Sequence, residues 1–392
     1  MFGLARAAPL LLALCATVGA FPTAERRQTQ NVTGTYVTDI AQCPRLATRA
    51  LKTRSVHDVR PDEFEVVMAL GDSITAGALA KGIQTNILDS LAEWRGVSYA
   101  TGGDAGALTI PNLIKYYRKS SVLGTSKGVH GIELCFGILC PIGPFGWDSD
   151  VDGFNAAQTG ALASNLLHEA RDYLVPQVRR ARIPDSALKY LNFQIGSNDI
   201  CQMCIGALTP TAADNFEEDV RLALEHVRKN IPNVLVNVVG VIPVSQIYGL
   251  TLGQPYCTKL TPGLPHLNIE CTCALLGGAV GNATRTLMDS LVAQYNARLV
   301  KIVKDYQRAN YKSFAAVYQP AAIPLSSYPV ESLSDVDCFH PAESLHARTA
   351  AALWNCMPLA TADRAEAFAW TEKPLIRCLQ ENDRIQTRAL VA

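Results

Sequence analysis

The sequence predicts an α/β fold, with a central parallel sheet between helical layers, on three observations. Short apolar, β-branched runs alternate along the chain with longer segments of helical period. The most apolar of them, around Val234 to Ile242, suits a strand covered on both faces. Two of the runs empty into clusters of Gly, Asp, Ser and Asn, at the carboxyl ends where such a sheet carries its functional groups.

Taken in order, residues 1–20 read as a secretory signal. Arg6 gives a positive start, Ala8 to Val18 are almost all apolar, and Val18-Gly19-Ala20 offers small residues for cleavage before Phe21. Residues 21–54 read as a polar N-terminal arm tied down through Cys43. A single domain over 55–380 follows, then a C-terminal tail, 381–392. Within the domain, strands are expected at 65–70, 97–100, 189–195, 234–242 and 313–318. Helices are expected at 159–182, 212–229, 282–308 and 342–357. Pro176 should kink or interrupt the first of these, and the second runs from acidic to basic residues, as the helix dipole favours.

Lys+Arg and Asp+Glu both number 35, a balance that argues against a general nucleic-acid binder, which needs excess cations for phosphates. The apolar run of the signal is shorter than the roughly 20 residues a bilayer span requires. The last residues, Arg388-Ala389-Leu390-Val391-Ala392, are too short an apolar tail for an anchor. The mature chain is therefore expected to be secreted and extracellular, without a transmembrane segment. Asn31 and Asn282 head glycosylation sequons usable in that compartment. Twelve cysteines favour disulfides, and an odd number remains once Cys15 leaves with the signal. Cys201-x-x-Cys204 and Cys271-x-Cys273 also admit a zinc reading, and the first a redox reading, but no histidine is interleaved.

The chemistry starts at Gly71-Asp72-Ser73, where the first strand would hand over a serine. A serine hydroxyl is a weak nucleophile until a base takes its proton. His340 is the candidate base, and Asp337, three residues earlier, can hold the imidazole tautomer from the same loop. Asn198, just past the apolar run that ends at Ile195, offers a neutral amide to a developing oxyanion, worth about 3 kcal/mol in such sites. Gly160, placed before the expected helix, offers a main-chain N–H beside a helix terminus. Each has a plainer reading: Ser73 as a helix cap, Asp337-His340 as a surface turn, Asn198 as a left-handed turn residue. Gly124-Thr125-Ser126-Lys127-Gly128 matches the G-x-S-x-G pattern, but lacks the strand before and the helix after, and reads as a surface turn.

Together these blocks resemble the SGNH (GDSL) hydrolase superfamily, whose named residues match Ser73, Gly160, Asn198 and His340, with Asp337 completing a triad. The resemblance implies a three-layer flavodoxin-like fold over 55–380 and an oxyanion hole formed by the Ser73 and Gly160 amides and the Asn198 side chain. It implies no metal and no organic cofactor. A narrower similarity, to the phospholipase B branch, rests on Ser55 to Pro61, Tyr99 to Asp104 with its Gly102-Gly103-Asp104, Gly196 to Cys204, Asp337 to His340 and Ala352 to Asn355. Unlike multi-repeat, membrane-anchored members of that branch, the chain is expected to carry one catalytic unit and no membrane tail.

The expected function is a secreted carboxylic-ester hydrolase acting through an acyl-Ser73 intermediate on phospholipids or lysophospholipids. A short-chain or carbohydrate esterase is the alternative, and a non-catalytic binding protein on the same fold a more distant one. The segment from Leu134 to Trp147 is apolar but studded with Gly and Pro, so it cannot be a long helix. It reads either as a loop buried against the sheet, the commoner fate of large apolar residues, or as a bridged loop in transient contact with a lipid surface.

Overall fold

Four strands make the central sheet: β1 (Val66–Gly71), β2 (Lys189–Gln194), β3 (Val234–Val239) and β4 (Phe314–Gln319). All are parallel and paired in that order, as seen in a computed structural model. The structure describes residues 34–47, 49, 55–118, 120–140, 146–206, 209, 211–260, 271–321, 323–360 and 370–391. Every strand residue is buried, which explains why the strands read as apolar runs rather than as alternating patterns. Successive residues still point to opposite faces: Val66, Met68 and Leu70 enter one core, Val67 and Ala69 the other.

Seven helices matter for the site: α1 (Ser73–Ala76), α2 (Ile110–Arg118), α3 (Val175–Arg180), α4 (Ser197–Cys201), α5 (Ala212–Asn230), α6 (Gly278–Ala309) and α7 (Glu343–Cys356). Val220, Leu224 and Val227 of α5 and Leu299 and Ile302 of α6 close one core. Leu113 and Tyr117 of α2 and Leu353 and Trp354 of α7 close the other. The result is the three-layer sandwich that the sequence predicts.

On the far side of β1, single parallel bridges join Val66 to Leu123 and Ala69 to Asn155. The chain thus leaves β1 to one side and returns to β2 on the other. Such a reversal opens a crevice at the carboxyl ends of the two strands.

Four of the five expected strands form. Residues 97–100 do not; Val97 closes a 3-10 turn, Arg95–Val97, and the side chains of all four are buried. Ser98 Oγ donates to the Thr75 carbonyl at 2.6 Å, and the Tyr99 hydroxyl is bonded by Asn192 Nδ2 at 2.9 Å. The expected helix over 159–182 begins later, as a 3-10 turn at Ala163–Asn165. A π-helical turn, Glu169–Leu174, then absorbs the missing N–H of Pro176 without breaking the helix.

Among the described residues, five disulfides link Cys43 to Cys378, Cys135 to Cys140, Cys201 to Cys271, Cys204 to Cys273 and Cys257 to Cys338. Cys356 is a buried thiol at the end of α7. The zinc and redox readings of Cys201 and Cys204 therefore fall, because each sulfur is bonded to a different partner in the 271–273 turn. Cys43–Cys378 lies beside an antiparallel pair, Tyr36–Val37 with Ile376–Arg377. Ile385 and Thr387 are buried too. Among the described residues, no helix is long and apolar enough to cross a membrane.

Candidate active site

The end of β1 is built for close approach. A Cβ on Gly71 would lie 2.4 Å from the Gln194 carbonyl and 2.6 Å from Thr75 Oγ1, so only glycine lets β1 turn into α1 here. The Gly71 amide donates to Glu169 Oε2 at 2.9 Å. Burial pushes the Glu169 carboxyl well above its ordinary range. Asp72 is the cap of α1, its Oδ1 accepting from the Ile74 amide at 3.0 Å. Ser73 therefore is not the cap; it is buried at the first helical position, and its amide meets no acceptor among the described residues.

Asp337 and His340 share one tight turn. Asp337 Oδ1 accepts from the Phe339 and His340 amides at 2.9 and 3.1 Å, while Oδ2 accepts from His340 Nδ1 at 2.6 Å. Burial works to raise the Asp337 carboxyl, but His340 and these hydrogen bonds outweigh it and hold it below its ordinary value. Cys338, between them, sits at φ +51°, a left-handed conformation unusual for a side chain with a Cβ, and is bonded to Cys257. The Ser334 amide donates to the His340 carbonyl at 2.8 Å, closing the turn. The plain surface-turn reading fails, since His340 is buried.

A second histidine lies behind the first. His346 is buried, accepts weakly from the Tyr99 amide and stacks on the Tyr99 ring. Burial, with His340 adding to it, pushes His346 down to about 3, so it is neutral at physiological pH.

Gly160 and Asn198 stand on two segments clipped together. Asn198 Nδ2 donates to the Ala161 carbonyl at 3.0 Å, and the Ala163 amide donates to both oxygens of Asp199 at 3.1 and 3.2 Å. Burial pushes the Asp199 carboxyl up to about 7. Gly160 has φ +84° and, contrary to the sequence expectation, is not at a helix terminus. Its amide has no acceptor among the described residues. One Asn198 N–H and two main-chain amides thus remain for an anion.

The segment leading to Gly160 is held by a buried ionic cluster that sequence reasoning missed. Arg95 is fully buried, with Nε 2.9 Å from Glu93 Oε2 and further ion pairs to Asp152 at 3.2 Å and Glu133 at 3.3 Å. It also donates to the Ala157 carbonyl at 2.9 Å and the Asn155 carbonyl at 3.3 Å. Thr159 Oγ1 donates to Glu93, and Asn155 Nδ2 donates to the Thr75 carbonyl at 3.0 Å. Burial pushes the Glu133 carboxyl up to about 10, whereas Arg95 and His130 overcome burial to hold Asp152 below its ordinary value. Glu93, His130 and Glu133 offer atoms within 4.8 Å of one another, but a cation there would have to displace the Arg95 guanidinium. Cys135 and Cys140 near His168 are disulfide-bonded and so supply no thiolate.

The carboxyl end of the sheet also holds a small apolar cavity of about 40 Å³. Ile74, which follows Ser73, Ser197, which precedes Asn198, and Phe339 and Pro341, which flank His340, all line it. Ser126 of the G-x-S-x-G match is buried, not on a surface turn, with its hydroxyl bonded to Asp152 O at 2.8 Å and to Thr101 Oγ1 at 2.9 Å. Asn282 is exposed in the first turns of α6, where its Oδ1 accepts from Arg285 at 2.6 Å. Asn31, Cys15 and the signal segment lie outside the described residues.

The family model described as GDSL-like Lipase/Acylhydrolase matches residues 67–353. Among curated proteins, the chain is 26% identical over 361 residues to the membrane-associated phospholipase B1 of Rattus norvegicus, covering 87% of this chain and 23% of that one. It is 28% identical over 326 residues to the Mus musculus protein of the same name, covering 80% and 20%, and 26% identical over 352 residues to the Homo sapiens protein, covering 87% and 23%. The chain thus spans less than a quarter of the length of these relatives.

Proposed function

The chain belongs to the GDSL-like lipase/acylhydrolase family and is an ester-hydrolysing enzyme, and from that premise we propose that it deacylates phospholipids and lysophospholipids through an acyl-Ser73 intermediate. The observation that carries the assignment of roles is the 2.6 Å bond from His340 Nδ1 to Asp337, which places the ring proton on Nδ1 and makes Nε2 the basic nitrogen.

In the proposed sequence, Ser73 Oγ attacks the ester carbonyl as its proton passes to His340 Nε2. Asp337 stabilises the imidazolium and keeps the ring in place. Charge gathering on the carbonyl oxygen is met by the Ser73 and Gly160 amides and Asn198 Nδ2, donors already oriented before substrate arrives. Collapse of the tetrahedral species breaks the ester C–O bond, and His340 gives its proton to the departing alcohol. Water then repeats the sequence on the acyl-serine and releases the acid. The apolar lining beside Ile74 and Phe339 supports an apolar acyl group over a sugar. The relatives' printed name, phospholipase B1, supports the same class.

Secretion, cleavage after Ala20 and glycosylation at Asn31 and Asn282 belong to the same proposal. The five disulfides support an oxidising compartment. The test is fatty-acid release from phosphatidylcholine and lysophosphatidylcholine beside a short-chain aryl ester, with Ser73→Ala as control. Lipid deacylation that is lost in Ser73→Ala is expected. Turnover of the aryl ester alone moves the substrate to small or carbohydrate esters, and activity retained by Ser73→Ala overturns the assigned nucleophile.

A further inference from the structure

The segment that carries Gly160 is paired with an apolar finger. Leu134 bridges Thr159, and the Cys135 amide donates to the Thr159 carbonyl at 2.9 Å. The chain then turns back on itself within the Cys135–Cys140 disulfide. Cys135 is buried, but the finger's other large side chains project outward: Ile138 is 99% exposed, Leu139 66%, Leu134 47% and Phe136 37%. No residue from Leu134 to Cys140 carries a charged or hydroxyl side chain.

Much of the main chain of this finger is paired within the fold. Phe136 and Leu139 exchange both of their main-chain hydrogen bonds, at 2.9 and 3.0 Å. Gly137 donates to Asn165 Oδ1 at 3.0 Å and accepts from Asn165 Nδ2 at 2.7 Å. Asn165 itself is buried, so the finger is clamped at its base. Each main-chain group paired internally lowers the cost of bringing the backbone against an apolar phase. The other oxyanion segment ends similarly: Ile205, a few residues past Asn198, is 70% exposed in a turn held by Cys204–Cys273.

We propose that the Cys135–Cys140 finger, with Ile138 and Leu139 at its tip, docks the enzyme on the surface of zwitterionic phospholipid aggregates. A lipid surface fits this tip better than a protein partner does, because the finger offers only apolar side chains and no polar pattern by which a partner would be recognised. It is also attached to the segment bearing Gly160, so docking brings the aggregate to the mouth of the site. The inference rests on the proposed phospholipid reading only for what the docked surface delivers.

The experiment uses full-length chain carrying Ser73→Ala, so that binding is read without hydrolysis, and phosphatidylcholine vesicles in a flotation assay. Adding Ile138→Ser and Leu139→Ser is expected to lower vesicle partitioning at least about tenfold, since two side chains lose their apolar insertion. Leu123→Ser, at the amino end of β1 and away from Ser73, should leave partitioning unchanged. In the active background, the double substitution should keep kcat/KM on a monomeric short-chain ester while losing rate on vesicles. A separate Ile138→Trp variant should show a blue-shifted indole emission on vesicle addition. Equal partitioning of the double variant, or an unshifted emission from the Ile138→Trp variant, overturns the proposal. So does a loss of self-association in the double variant, which would assign the finger to a second copy of the chain. Vesicle binding without any phosphatidylcholine hydrolysis by the active enzyme keeps the docking surface and removes the substrate assignment instead.

Discussion

Arg95 offers the sharpest test of how the scaffold supports the proposed chemistry. It is fully buried among Glu93, Asp152 and Glu133, and spends two further N–H groups on the Asn155 and Ala157 carbonyls. Because Glu133 is pushed up to about 10, it keeps its proton at neutral pH, and Arg95 faces the Glu93 and Asp152 carboxylates. Arg95→Met would leave those two charges buried without their cation. Removing one partner of a buried ion pair costs about 3–5 kcal/mol. Two carbonyls left without a donor add about 1 kcal/mol each. The total reaches the lower part of the stability range of a natural domain, about 5–15 kcal/mol, so the variant should be largely unfolded or close to it.

Arg95→Lys separates charge from geometry. It keeps the cation but loses the planar fork that reaches carboxylates and carbonyls together, for a cost of about 1–2 kcal/mol. The 155–160 segment should then lose its clamp, lowering kcat on a soluble ester with little change in KM, because the Gly160 donor is displaced rather than the substrate pocket. Urea unfolding at pH 7 gives the first quantity and steady-state kinetics the second. An Arg95→Met variant within about 1 kcal/mol of wild type would refute the reasoning, because that is the size of an ordinary surface substitution.

Two further predictions follow from the turn and the clip. Asp337→Asn keeps the acceptor for the Phe339 and His340 amides but removes the charge that supports the imidazolium; kcat should fall about 10³–10⁴-fold. Asp337 is held below its ordinary value, so its contribution to stability is present above the unfolded carboxyl pKa and is lost as pH falls through the folded one. The variant should therefore lose that acid-side slope in unfolding midpoints measured from pH 6 downward, and an unchanged slope counts against the pairing. For Asp199 the sign reverses: its carboxyl is raised from 3.8 to about 7, so the folded state holds the proton and stability falls as pH rises across that window. Asp199→Asn keeps an oxygen for the Ala163 amide and should stabilise the protein at pH 8 but not at pH 4; equal effects at both would show that burial does not govern this group.

The sheet was legible because its strands are buried on both faces and so read as unbroken apolar runs, with ends misplaced by a residue or a few. Residues 97–100 carried the same signal for another reason, each side chain being buried in turns beneath α1. Four residues are too few to separate the two cases. Asp337 and His340 were legible because their spacing is local, and the structure brings them to hydrogen-bond distance. Glu93, Arg95, His130, Glu133 and Asp152 were not. They are dispersed over 60 residues in segments without period, where isolated charges ordinarily mean solvent, and only the fold gathers them. Nor could spacing alone pair the cysteines, or tell whether Ile138 faces the core or water.

The proposed catalytic groups all leave the sheet on loops, where apolar packing is thinnest, and each loop is fastened by a different device. Gly71 fits against Gln194 with no room for a Cβ, which fixes the exit of Ser73. Cys257–Cys338 anchors the left-handed residue between Asp337 and His340. Two adjacent disulfides, Cys201–Cys271 and Cys204–Cys273, hold the turn that follows Asn198. The Gly160 segment has the Arg95 cluster on one side and the disulfide-closed finger on the other. Oxyanion stabilisation depends on donors that need not reorganise as charge develops. A site assembled from four loops can meet that condition only if the loops are held as firmly as the strands, and here covalent bonds and buried charge hold them where core packing does not.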